Sequence, residues 1–376
     1  MPPLPDVTQM TRDLVQIPSE SSDPVATLAA SPERHVLEYL ESVCRVADLD
    51  HFTMEALPGR HNLVVRLPNP GAPRILIVAH MDTVSGRGMD NPFLAVEHDG
   101  MISGRGTCDD KGPLAAGLSA ILSIHQQKIT PAFDITFAAS VDEECSMAGA
   151  ERLAEQLPGW DLCLAMEPTK LQIIRAHKGV YRCRVTTSGR AAHSSHPEKG
   201  INAINAMLPV INDLLALGTD LSRPEHPDLG RATLAVTRIM GGSSPNTIPD
   251  RCEVTVDIRL LPDMTPQFIA RKIKDYVGNR GAIDEIYLGD GIATDMDNPL
   301  IQRLKETIHN AGADPGPITA AYATDCSRLH HRGPCLVWGP GNIDLAHQAD
   351  EHIPVAELIK GEAILRAFLT NEAHHE

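Results

Sequence analysis

Two histidines and a set of carboxylates stand where short apolar runs end. His80 and Asp82 follow Ile75 to Ala79, Asp142, Glu143 and Glu144 follow Ile135 to Ala139, and Glu167 follows Leu162 to Met166. Asp109 in GRGTCDDKG and His347 in AHQADE complete the group. Imidazoles mixed with carboxylates are a hard-to-borderline donor set suited to divalent zinc, cobalt or manganese, and neither a thiolate site nor haem is indicated. In an extended His80-Met81-Asp82 segment, residues two apart face the same side. The Asp82 carboxylate is therefore expected to hold the His80 nitrogen that does not bind metal and to raise its basicity. The adjacent Glu143 and Glu144 divide two tasks, one carboxylate binding metal while its neighbour takes a proton from metal-bound water. Spacing alone leaves open which does which.

Each residue taken singly has an ordinary alternative. Most histidines are not ligands. GRGTCDDKG reads equally as a turn into a helix, and it fails as a dinucleotide fingerprint because the third glycine of GxGxxG would fall at Asp109. Residues 142 to 144 alone read as a solvated acidic turn. Their joint placement after apolar runs is what singles out a metal-centred site.

The elements that must position these residues follow from periodicity. Helices are predicted from Val7 to Leu14, from about Glu33 to Val46, from Gly112 to about Gln126 and from Ala148 to Gln156. Buried strands are predicted at Leu63 to Leu67, Ile75 to Ala79, Ile135 to Ala139 and Leu162 to Met166. This alternation implies a largely parallel sheet, with ligands gathering at the carboxyl ends of its strands. From about His177 the pattern changes. Tyr181 to Thr187, Ala232 to Ile239 and Cys252 to Leu260 alternate like half-exposed strands, with helices at Asn202 to Leu217 and Thr265 to Val277. A smaller α+β domain with an antiparallel sheet is expected there, inserted in the larger one. After about Gly291 the α/β style resumes, with a helix near Leu300 to Ala311 and a strand near Cys335 to Trp338. The expected division is residues 1–176 with 291–376, and residues 177–290.

A chain of 376 residues exceeds what one core usually serves, which agrees with two domains. Its net charge of −16 repels nucleic acid and anionic lipid. MPPLPDVTQM has neither a basic nor an apolar leader region, and no run is long enough to span a bilayer, so a cytoplasmic protein is expected. The eight cysteines are scattered without CxxC pairs and read as reduced thiols. His374 and His375 read as a polar tail, not ligands.

HMDTV, GRGTCDDKG, VDEECSMAGA, MEPT and AHQADE, in this order, resemble the signature blocks of the M20 metallopeptidase and deacylase family. The resemblance implies a zinc-peptidase-like catalytic domain with an inserted dimerisation, or lid, domain. It also implies two zinc ions per subunit, with cobalt or manganese as substitutes. Asp109 would bridge the metals, His80 and Glu167 would complete one site, and Glu144 and His347 the other. Glu143 would be the general base and Asp82 the partner of His80. In SGRAAHSSHPEKGINAI, His193 would reach into the active site of a partner subunit and stabilise the oxyanion, which implies a homodimer. Asn246 in GGSSPN and Arg259 in DIRLLP match substrate-binding positions, and Thr324 in YATDCSRL lies in a stretch that contacts substrate in relatives. MEPTKLQIIRAHKG, DEECSMAGA and LVWGPGNIDLAHQADE are most similar to the acetylornithine deacetylase branch, with succinyl-diaminopimelate desuccinylases and dipeptidases as alternatives and a non-catalytic scaffold as a more distant one. Asp110 departs from the deacetylase pattern and gives a dipeptidase-like DDKG. Cys108 and Cys145 flank expected ligands and are read as packing residues.

Overall fold

The computed structural model describes residues 4–21 and 31–370; His374 and His375 lie outside them. The chain clusters into two compact units, residues 1–175 with 294–318 and 324–376, and residues 176–293 with 319–323. Residues 319–323 were expected in the larger domain but side with the smaller unit. Lys178 N–H donates to the Ala320 carbonyl at 3.1 Å and the Thr319 hydroxyl to the Asp228 carbonyl at 3.3 Å.

The larger unit is built on strands β1 (Asp50–Leu57), β2 (Arg60–Leu67), β3 (Arg74–His80), β4 (Asp134–Ser140) and β5 (Leu162–Ala165), with a last strand at Cys335–Val337. Their spatial order is β1-β2-β4-β3-β5 and then Cys335–Val337. The central pairs β3/β4, β3/β5 and β5 with Cys335–Val337 are parallel, whereas β1/β2 and β2/β4 are antiparallel. β1 escapes the sequence reading because DHFTMEAL is half-exposed and lacks a continuous apolar run. Helices α1 (Val7–Val15), α2 (Arg34–Ala47), α3 (Lys111–Gln126) and α4 (Ala148–Gln156) accompany the sheet. α3 is buried on nearly every side and packs against α1, β3 and the closing helix Val355–Leu369. Its Gly and Ala residues make that approach possible: a Cβ on Gly117 would come within 2.8 Å of the Phe137 ring. Register does the positioning. His80 is level with Ser140, and Val78 with Ala165, so the loops after β3, β4 and β5 leave the sheet at one edge.

The smaller unit holds a four-stranded antiparallel sheet of β6 (Gly179–Ser188), β7 (Thr233–Gly241), β8 (Arg251–Leu260) and β9 (Ala282–Gly289), in the order β7-β8-β6-β9. Helices α5 (Ala203–Leu221) and α6 (Pro266–Val277) cover it. α5 is apolar on two sides. Ala203, Met207, Val210, Leu214 and Leu217 are buried, but Leu208 and Leu215 on the other side are 55% and 51% exposed. Among the described residues, no helix is long and apolar enough to cross a membrane.

Candidate metal centre

The shared register brings His80, Asp82, Glu143, Glu144 and Glu167 to one edge of the sheet, and the loop before α3 delivers Asp109 beside them. His80 Nε2 lies 3.0 Å from Asp109 Oδ1, and His347 Nε2 lies 3.1 Å from both Asp109 Oδ2 and Glu144 Oε1. Ligand atoms of His80, Asp109 and Glu144 fall within 4.8 Å of one another. Donors bonded at about 2.0–2.2 Å to one divalent ion sit at this kind of separation, so the residues present fit a metal. Asp109 offers one oxygen to each histidine, which is the arrangement a carboxylate needs to serve two ions.

The tautomer of His80 is fixed by its neighbour. Nδ1 is 2.9 Å from the backbone carbonyl of Asp82, and a carbonyl can only accept, so Nδ1 carries a proton, while Nε2 donates to Asp109 in the metal-free protein and is the nitrogen a metal would take. The Asp82 carboxylate stays beside the same nitrogen, as the spacing predicts. Its Oδ1 stands 3.4 Å from Nδ1, and it has further work: Oδ1 accepts the Glu143 N–H at 3.1 Å, and Oδ2 accepts the Glu144 N–H at 3.2 Å and the Ser21 hydroxyl at 2.6 Å. Two residues of extended chain bring both the carbonyl and the side chain of Asp82 to the ring, with the carbonyl nearer.

Asp82, Asp109, Asp110, Glu143 and Glu167 are all buried. Buried carboxylates without cations are costly, so in the metal-free protein protons take the cations' place. Burial pushes the carboxyls of Glu143 and Glu167 well above the usual range, with neighbouring carboxylates adding to the effect. Asp109 moves the other way: hydrogen bonds from His347 and His80 outweigh its burial and hold it far below. Asp109 and Glu144 in turn push His347 up to about 10. Metal uptake would displace such protons.

Several supporting residues carried no spacing signal. Asp110 is buried, and its Oδ2 accepts the His80 N–H at 2.9 Å. Glu351 accepts the N–H groups of Cys108 at 2.9 Å and Asp109 at 3.1 Å and pairs with Arg105, fixing the loop that carries Asp109. Asp325 is buried and accepts the Ser140 hydroxyl at 2.6 Å. Cys108 is buried, its thiol donating to the His352 carbonyl, and burial pushes the Cys145 thiol up to about 12, so both behave as neutral packing groups.

Residues 76–371 match the sequence profile of peptidase family M20/M25/M40. The chain belongs to that family. As a member of family M20/M25/M40, it is a metal-dependent hydrolase. Its fold is shared with an M20 metallo-carboxypeptidase of Sulfolobus solfataricus, at TM-score 0.80 and 17% identity over 97% of this chain and 98% of that one. It is shared too with the aminopeptidase PepT of Bacillus cereus, at TM-score 0.71 and 23% identity over 96% and 97%. A third similar fold is the YXEP protein of Bacillus subtilis, described as a dinuclear metal binding M20 peptidase, at TM-score 0.68 and 16% identity over 96% of each chain.

The remaining predicted residues lie as follows. Thr324 is buried, and its hydroxyl accepts the Cys326 N–H at 3.3 Å, at the start of the short helix Cys326–Leu329. In the smaller unit, His193 and Asn246 come together: His193 pairs with Thr247 across two short strands, and Ser194 N–H donates to the Asn246 carbonyl at 2.9 Å. The His193 ring is exposed, and its Nδ1 accepts the Ser195 N–H at 3.1 Å, which leaves the proton on Nε2. Arg259 is half-buried on β8, with Nε donating to Asp257 at 2.9 Å.

Proposed function

We propose that this family member hydrolyses the amide bond of a small N-acylated amino acid, using two divalent ions, zinc first. His80 and Glu167 would hold one ion, Glu144 and His347 the other, with Asp109 between them. The observation that carries this reading is Asp109, whose two oxygens meet two different histidines at 3.0 and 3.1 Å. A bound metal pair would polarise the scissile carbonyl and acidify the attacking water.

Glu143 takes a proton from that water and returns it to the leaving nitrogen, so amide and water leave as carboxylate and amine. Burial raises the hold of the Glu143 carboxyl on a proton, which suits a group that must accept one before passing it on. Asp82 holds Glu143 by its backbone, keeping the base in place through both transfers. His193, with its proton on an exposed Nε2, is a donor for the developing oxyanion of a partner subunit. Asn246 and Arg259 bind substrate. The terminal nitrogens of Arg259 make no hydrogen bond among the described residues and suit a carboxylate. Thr324, in the larger unit, is assigned to substrate binding as well.

The two-sided α5 supports a homodimer. Leu208 and Leu215 leave an apolar stripe that a monomer would keep in water, beside the edge strand β7 with exposed Ile239 and Met240. Eight free thiols support a reducing cytoplasm.

The substrate proposed is N-acetylornithine, giving ornithine and acetate as in arginine biosynthesis, on the strength of the blocks around Glu144, Glu167 and His347. A dipeptidase is the second reading, favoured by Asp110 in DDKG. Kinetics with N-acetylornithine, N-succinyl-diaminopimelate and a dipeptide panel, on protein supplied with zinc or cobalt, test both. Preference for dipeptides would replace the first reading with the second, and silence towards every amide would favour the scaffold.

A further inference from the structure

The segment of residues 141–149, a loop that carries Glu143 and Glu144 and the start of α4, is held largely by side chains from elsewhere. Arg60, the first residue of β2, lies beneath it with its side chain only 13% exposed. Its Nε donates to Glu33 Oε2 at 3.0 Å, its Nη2 to Glu33 Oε1, and its Nη1 to Asp142 Oδ1 at 2.6 Å. Glu33 Oε1 also accepts the Asp142 N–H at 3.2 Å. Asp142 is thus gripped by both side chain and backbone. It needs to be, because it sits at φ +67° and the loop turns around it: its carbonyl accepts the N–H groups of Ser146 at 3.0 Å and Met147 at 2.7 Å. Two residues further along the same face of β2, Asn62 pins both ends of this segment. Its Oδ1 accepts the Val141 N–H at 3.1 Å, and its Nδ2 donates to the Gly149 carbonyl at 2.9 Å.

We propose that Arg60 is a positioning residue for the hydrolytic site: clamped between Glu33 and Asp142, it sets where the adjacent Glu143 and Glu144 stand. Fold stability alone gives such a network little reason to exist, since a buried ion triad is often matched or bettered by apolar side chains of similar volume. Its geometry acts on the loop instead. A guanidinium spans two carboxylates in fixed directions, whereas a lysine ammonium on a flexible stem cannot hold both at once. Arg60 touches neither substrate nor metal and acts through Asp142. Asp82 takes the backbone N–H groups of both glutamates as well.

The inference rests on the two-metal hydrolase reading, so the wild-type protein is assayed in parallel. Arg60→Lys keeps the charge and loses the fork. A second variant, Glu33→Gln/Arg60→Met/Asp142→Asn, removes all three charges together and leaves no uncompensated ion. Two readouts are taken: kcat and KM for the best amide substrate, and cobalt titration followed by visible absorption. Both variants should keep a cooperative thermal transition and a KM close to wild type while kcat falls about 10- to 100-fold. Cobalt should bind one site as before and the other, which depends on Glu144, about tenfold more weakly. Unchanged kcat and unchanged cobalt affinities in either folded variant would overturn the role given to Arg60. Loss of a cooperative transition in both would overturn it too, since the network would then be scaffolding. Absence of turnover in the wild type would instead overturn the hydrolase reading, leaving the cobalt titration to judge Arg60.

Discussion

His80 donates its Nδ1 proton to the backbone carbonyl of Asp82 at 2.9 Å, and the Asp82 carboxylate, 3.4 Å from the same nitrogen, receives the N–H groups of Glu143 and Glu144. One residue thus orients an imidazole with its main chain and two catalytic-loop amides with its side chain. The two roles are separable by mutation.

Asp82→Asn keeps the carbonyl and so keeps the His80 tautomer, but an amide nitrogen cannot accept an N–H. Activity is expected to fall roughly 10- to 100-fold, with metal still bound through His80. Metal analysis beside kcat checks this; activity within twofold of wild type would return Asp82 to a packing role.

Glu143→Ala should abolish turnover while the bound metal is nearly unchanged, because the proposed ligands are its neighbours. Loss of metal together with activity would make Glu143 a ligand and pass the base role elsewhere.

Asp325 should make the metal-free protein's stability depend on pH. Burial pushes its carboxyl from 3.8 to about 7. A folded pKa above the unfolded one means that the native state binds the extra proton between these values. Its contribution is therefore intact below about 4 and lost as pH rises through 7. Asp325→Asn cannot titrate, so its stability relative to wild type should grow from pH 4 to pH 7, by at most about 4 kcal/mol. Thermal or urea unfolding at pH 5 and pH 8 measures the difference; the same offset at both would exclude Asp325 as its source.

Leu215→Glu places a charge on the exposed apolar side of α5 without entering the core, since Leu214 and not Leu215 faces the sheet. Sedimentation should then show a dimer for the wild type and a monomer for the variant. If His193 acts in a partner's site, the variant should lose activity as it dissociates, and mixing His193→Ala with Glu143→Ala chains should restore some. An unaltered mass would place any interface elsewhere.

Much of the larger unit was legible from local pattern, because a buried strand announces itself by a continuous apolar run and a site at strand ends by the residue after the run. His80, Asp82, Glu143, Glu144 and Glu167 were found in that way, and Asp109 and His347 by their motifs. β1 and β9 were missed for the converse reason, since half-exposed strands carry no such run. Residue types and order along the chain thus determined the donor set, the family and the inserted second unit. Tertiary structure alone decided the rest. Parallel register set His80 level with Ser140, burial chose which carboxyls keep protons, and the path of the backbone gave His80 the carbonyl of Asp82 beside its carboxylate. The clamp of Arg60 on Glu33 and Asp142 joins residues 27 and 82 positions apart, a separation at which spacing carries no information and only the packed chain brings charge to charge.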